Sequence, residues 1–160
     1  MKWWMAWTVL LMGFGLYAQQ TFPEVSVKTL DGKAVNINDY LGKGHPVYVT
    51  FWATWCTPCK KELDALSDFY EEWKDAYQLE IVAVTIDNAR ALSKVGPMVS
   101  SKGWPFVILS DSNKELMTAL GFQTIPQSYL VDAQGKIVYS HNGYAPGDEY
   151  VVEDKLKALK

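Results

Sequence analysis

The only two cysteines of the chain are Cys56 and Cys59, in the run Trp52-Ala53-Thr54-Trp55-Cys56-Thr57-Pro58-Cys59-Lys60-Lys61-Glu62. Two thiols at this spacing can close a small disulfide ring and reopen it. A β-rich apolar stretch, Val47 to Trp52, precedes the pair, and a helix-patterned stretch follows. The first sulfur is therefore expected at a helix N-terminus, where unpaired backbone N–H groups and the macrodipole favour negative charge. A thiolate there is stabilised, and the thiolate is the species that attacks disulfides. The implied chemistry is thiol–disulfide exchange. Cys56 attacks, and Cys59, nearly one turn along and expected to be buried, resolves the mixed disulfide. Glu62 lies within one turn of Cys59 and can share its side of the helix. There it would accept the Cys59 proton, or raise the thiol pKa by its charge. Its competing role is a solvated carboxylate that complements the helix dipole.

A cysteine pair can instead be a structural staple. A staple on so small a ring removes little entropy from the unfolded chain, because the stabilisation grows with loop length. A chain of 160 residues, 49% hydrophobic, has enough core to need none. The net charge is -3, and no basic run exceeds Lys60-Lys61, so no nucleic-acid partner is expected.

The elements that must position the pair follow from periodicity and turn chemistry. Residues 22–27 and 34–37 flank the Asp31-Gly32 turn signal and read as a hairpin. The continuous apolar run before the motif reads as a central strand buried on both faces. Leu63, Leu66, Phe69, Tyr70 and Trp73 recur at helical spacing, with Pro58 in the first turn where its missing N–H costs nothing. Further strands are expected at 79–86, 106–109, 128–131 and 136–139. Asp87-Asn88 offers an N-cap for a helix through Leu92 and Val95, broken near Gly96-Pro97. Asp111-Ser112-Asn113 caps a short helix to Leu120, closed by Gly121, and a final helix is expected over 149–159. This alternation implies an α/β fold, a central mixed sheet flanked by helices. Phe51, Trp52 and Tyr48 are assigned to the core.

Lys2, the apolar run from Trp3 to Tyr17, and Ala18 before Gln19-Gln20 have the order of a secretory signal. Residues 1–18 are expected to be removed, leaving one domain over 19–160. An uncleaved membrane anchor is the alternative, but the run falls short of the roughly 20 apolar residues that a span requires. No cysteine stands at the end of the run, so a lipid-anchored form is not expected.

The stretch Trp52-Ala53-Thr54-Trp55-Cys56-Thr57-Pro58-Cys59-Lys60-Lys61-Glu62-Leu63 resembles the active site of the thioredoxin superfamily. It is most similar to the exported TlpA/ResA-like thiol-disulfide oxidoreductases, and the likeness extends over nearly all of the mature chain. The N-terminal hairpin resembles that family's extension. Residues 81–106 resemble its helical insertion, and Thr124-Ile125-Pro126-Gln127-Ser128 its cis-proline segment. The resemblance implies a thioredoxin-like fold and a cis bond before Pro126. It also implies a substrate surface of Trp55, Thr57, Pro58, Ile125 and Pro126, with the backbone of Ile125 free to pair with a bound peptide. The acid that thioredoxins bury in the strand before the motif is replaced by Thr50, and Glu62 occupies the helix position where relatives carry one. No cofactor beyond the Cys56–Cys59 disulfide is implied. The expected protein is a periplasmic monomer that reduces protein disulfides, including those met in cytochrome c maturation, and is itself re-reduced by a membrane thiol-disulfide donor.

Three rivals are weaker. His45 and His141, the only histidines, lack finger spacing for a zinc site with the cysteines. Copper-delivery proteins on this fold use a longer Cys-x-x-x-Cys spacing with a later His. Peroxidatic relatives place Pro and Thr before the reactive Cys where this chain has Val49 and Ala53. Mass spectrometry of protein recovered from its native cell is expected to show a mature chain beginning near Gln19. Recovery of the intact chain in the membrane fraction would identify the anchor instead.

Overall fold

The computed structural model describes residues 20–160, so the expected signal segment lies outside the described residues. In chain order the elements are β1 (Ser26–Thr29), β2 (Ala34–Asn36), β3 (Val47–Trp52), α1 (Thr57–Tyr77), β4 (Glu80–Thr85), α2 (Val95–Lys102), β5 (Val107–Ser110), α3 (Glu115–Leu120), β6 (Gln127–Val131), β7 (Ile137–Asn142) and α4 (Asp148–Lys157). They build one seven-stranded sheet in the order β2-β1-β5-β4-β3-β6-β7. β3, β4 and β5 run parallel, and the pairings of β1 with β2 and β5, and of β6 with β3 and β7, are antiparallel. Every residue of β3 is buried, as the unbroken apolar run requires of a strand covered on both faces.

α1 turns Leu63, Leu66, Tyr70 and Trp73 inward. Phe69 stacks on Trp73 at 5.4 Å and meets Tyr150 of α4 edge-on at 5.6 Å, so α4 lies beside α1. The helix stops at Gln78, whose left-handed backbone (φ 56°) lets its N–H close on the carbonyls of Trp73 and Lys74. Trp104, just before β5, packs edge-on against Trp52 at 5.2 Å and donates its indole N–H to Asp64 of α1.

Two elements differ from expectation. The first strand begins at Ser26 rather than at Phe22, because Pro23 has no N–H to place in a ladder. The preceding segment joins the opposite edge of the sheet: Thr21 bridges Lys136, and Phe22 packs edge-on against Tyr129 at 5.4 Å. The second difference lies in the insertion. A helix through Leu92 that breaks at Gly96-Pro97 is replaced by a short 3₁₀ turn, Leu92–Lys94, and α2 begins where the break was expected. Pro97 falls in the first turn of α2, where backbone N–H groups have no intrahelical partner in any case. Residues 81–85 belong to β4, so the inserted helical part is shorter than the 81–106 segment assigned to it.

Candidate active site

β3 ends at Trp52, and the chain turns through Ala53–Trp55 into α1, so the cysteines lie at the carboxyl end of a central strand. This is where open α/β sheets place their sites. Cys56 is the N-cap of α1, and its sulfur accepts the Cys59 N–H at 3.3 Å. Cys56 and Cys59 are joined by a disulfide. Cys59 is fully buried and Cys56 is 5% exposed. Trp55 stands 63% exposed next to Cys56, so it is not a core aromatic. Thr57 and Pro58 are exposed as well.

The segment before β6, the strand paired directly with β3, reaches the same end of the sheet. The Ile125–Pro126 peptide is cis, and the Ile125 carbonyl oxygen lies 4.0 Å from the Cys56 sulfur. Ile125 is partly buried and Pro126 buried. The structure therefore brings Cys56, Cys59, Trp55, Thr57, Pro58, Ile125 and Pro126 to one end of the sheet.

Glu62 is 3% exposed, which overturns its reading as a solvated helix carboxylate. Three hydroxyls hold it. Ser128 Oγ donates to Oε1 at 2.6 Å, Tyr48 Oη to Oε1 at 3.2 Å, and Thr50 Oγ1 to Oε2 at 2.8 Å. Thr50 and Ser128 are register partners on β3 and β6, which explains how residues so far apart in sequence converge on one carboxyl group. Burial pushes the Glu62 pKa up, and the hydroxyl bonds only partly oppose it. Tyr48, assigned to the core, is indeed buried, but its hydroxyl is part of this cage. Burial first, and the Glu62 charge second, hold its phenol well above the usual range, so it stays a donor.

A second buried carboxylate was read from sequence as a helix cap. Asp87, fully buried, accepts the Thr54 backbone N–H at 2.8 Å, the Thr54 hydroxyl at 2.8 Å and the Thr85 hydroxyl at 2.7 Å. Lys60 Nζ donates to the Thr54 carbonyl at 3.0 Å. Thr54 is thus held on both sides of its residue, one step before Trp55 and two before Cys56. The only signal in the sequence is an acid directly after the apolar run of β4, in a place where solvent is not expected. Asn88 caps no helix either: its side chain accepts the N–H groups of Arg90 and Ala91 in the turn before the 3₁₀ segment, whose N-cap Ala91 makes no side-chain cap bond. Of the two histidines, His45 lies 3.4 Å from Glu80 and His141 3.1 Å from Asp148.

A Cys-x-x-Cys disulfide at a helix N-terminus, on a mixed sheet with this order, defines a thioredoxin-like thiol-disulfide oxidoreductase. The sequence model of the AhpC/TSA family matches residues 18–140, and the chain belongs to that family. The chain is 30% identical over 137 residues to the thiol-disulfide oxidoreductase ResA of Bacillus thuringiensis subsp. konkukian, covering 86% of this chain and 75% of ResA. It is 33% identical over 143 residues to the thioredoxin-like protein YneN of Bacillus subtilis, covering 89% and 80%. The solution structure of a thioredoxin-like protein from Porphyromonas gingivalis superimposes with a TM-score of 0.77 at 38% identity, over 86% of this chain and 90% of that one.

Two outcomes follow from these carboxylates. Asp87→Ala leaves the Thr54 and Thr85 donors unpaired and is expected to lower unfolding stability by roughly 2–4 kcal/mol in denaturant melts. A loss below half a unit of that scale would place water or another acceptor at the clamp. For Glu62 the folded pKa is raised. The stability linked to its protonation is therefore complete below the unfolded carboxyl range, near about pH 4.3, and is lost as pH rises through the raised folded value. Glu62→Gln cannot ionise, so its stability relative to the native protein should improve across that window. A difference that stays constant with pH would show that Glu62 titrates alike in folded and unfolded chains.

Proposed function

We propose that this oxidoreductase is exported and works as a reductant of disulfides in other exported proteins, with apocytochrome c, as the resemblance of its active-site motif implies, among the substrates. The observation that carries the reading is the buried Glu62 carboxyl, one helical turn from the buried Cys59, held only by hydroxyls. A negative charge beside a thiol disfavours its thiolate. A dithiol whose thiolate is disfavoured gives up its electrons more readily than one whose reduced form is stabilised.

The proposed cycle starts from the dithiol. The Cys56 thiolate attacks one sulfur of the substrate disulfide, a mixed disulfide forms, and the first substrate thiolate leaves. Cys59 passes its proton to the Glu62 carboxylate, and its sulfur attacks Cys56 Sγ. The mixed disulfide breaks, the second substrate thiolate leaves, and the Cys56–Cys59 disulfide remains. Two electrons have moved to the substrate. A dithiol donor, proposed to be a membrane thiol-disulfide protein, restores the pair. Trp55, Thr57 and Pro58 offer exposed surface beside the attacking sulfur, and Ile125 offers backbone to a bound strand.

Cys59→Ser removes the resolving sulfur and leaves Cys56 to attack. Long-lived mixed disulfides with substrate proteins are expected to accumulate in this variant and to be scarce in Cys56→Ser, as read on non-reducing gels. Equal trapping by both variants would reverse or erase the division of roles.

A further inference from the structure

Beside the disulfide, α1 and the inserted segment enclose a groove of about 710 Å³. We propose that this groove docks an acidic segment of the substrate polypeptide next to the disulfide being exchanged. The inference rests on the reductase reading above and specifies the substrate class of the same site.

The lining divides by chemistry. Pro97 and Met98 of α2 supply apolar surface, and four lysines surround it: Lys60 and Lys61 from α1, Lys94 from the 3₁₀ turn, and Lys102 from α2. Asp64 alone opposes them among the lining residues. Two of the four cations are already engaged, since Lys102 pairs with Asp64 at 2.7 Å and Lys60 binds the Thr54 carbonyl. Lys61 and Lys94 are exposed and form no ion pair among the described residues. This concentration of uncompensated positive charge stands on a chain whose net charge is -3. It is a local feature, not a consequence of overall composition.

The position of the groove matters as much as its charge. Thr57, the first residue of α1, lines it, so it opens directly beside the Cys56–Cys59 pair. The positive end of the α1 dipole adds to the lysine field there. A partner with Asp or Glu residues flanking its cystine is attracted to Lys61 and Lys94 while its disulfide meets Cys56, and the Met98 and Pro97 surface receives the apolar parts of the same segment. Exposed charges of this kind act mainly on encounter rate and partner choice, and salt weakens them.

The test uses the reduced protein and two synthetic peptides that share one intramolecular disulfide, flanked by glutamates in one and by glutamines in the other. Stopped-flow rate constants are measured at low and high ionic strength for the native protein and for the double variant Lys61→Gln/Lys94→Gln. The native protein is expected to reduce the glutamate peptide faster by about threefold to tenfold at low salt, the range that two exposed charge pairs provide. The preference should collapse in high salt and in the double variant, with the glutamine peptide reduced at a similar rate by both proteins. Equal rates on the two peptides in the native protein overturn the docking proposal and leave the reductase reading standing. Failure to reduce either peptide overturns both. A double variant slowed equally on the two peptides shows that the lysines act on the dithiol itself, and overturns the proposal. So does retention of the native protein on phosphatidylserine vesicles without any peptide preference, which would assign the lysines to a lipid surface.

Discussion

A single hydrogen bond ties structure to chemistry here: the Cys59 N–H on the Cys56 sulfur. Helices are usually capped by the oxygen of Ser, Thr, Asp or Asn, which takes one of the unpaired N–H groups of the first turn. In α1 a sulfur holds that place. In the reduced protein the same N–H becomes a charge-assisted donor to the thiolate. Helix capping and activation of the proposed nucleophile are therefore one interaction. The rest of the fold keeps that cap where it is. β3 must end at Trp52, which its burial on both faces and the Trp104 contact secure. The three residues between strand and cap must not wander, and the Asp87 and Lys60 bonds to Thr54 hold them.

The two buried carboxylates near the site divide their work through the donors they receive. Asp87 takes a backbone N–H, a donor that cannot turn round, and so serves as a fixed acceptor. Glu62 takes hydroxyls alone. A hydroxyl can donate to a carboxylate or rotate and accept from a carboxylic acid. The cage around Glu62 accordingly satisfies the group in both protonation states, which a lysine or arginine partner would not. A cation would fix the charge and preclude the proposed proton transfer; bare apolar surroundings would make ionisation too costly. Three hydroxyls on two strands provide the intermediate case, with the pKa displaced upward by burial.

Much of this was legible in the sequence, for identifiable reasons. The β3 run and the α1 stripe are long and strongly periodic, so they located Cys56 and Cys59 correctly on a strand-to-helix junction. Gly121 and the Asp31-Gly32 turn marked boundaries because only particular backbone geometries fit there; both glycines have positive φ. The first strand was misplaced because a hairpin turn signal locates the turn without fixing how far back its strand reaches, and the missing N–H of Pro23 bars the ladder there. The α2 boundary was misplaced because a proline reads as a stop, although it is equally at home in a first turn. Glu62 was found by spacing, but its cage was not. Tyr48, Thr50 and Ser128 meet it through strand register, which no local pattern in one chain reveals. Asp87 was misread for the same reason: an acid after a strand looks like a cap until the neighbouring loop is known.

Sheet topology supplies the last member of the site. Ile125 and Cys56 are 69 positions apart, yet their atoms approach within 4.0 Å. A strand parallel to β3 would present its carboxyl end beside the cysteines, and its leading residues would lie at the far edge. β6 instead runs antiparallel to β3, with Gln127 opposite Phe51, so the residues that lead into β6 arrive at the end where β3 turns into α1. The cis Ile125–Pro126 segment is those leading residues. The reversal of direction between β3 and β6 is thus what brings the Cys56 sulfur and the Ile125 backbone together. It also aligns Thr50 with Ser128, so the same pairing that builds the proposed substrate face closes the hydroxyl cage around Glu62.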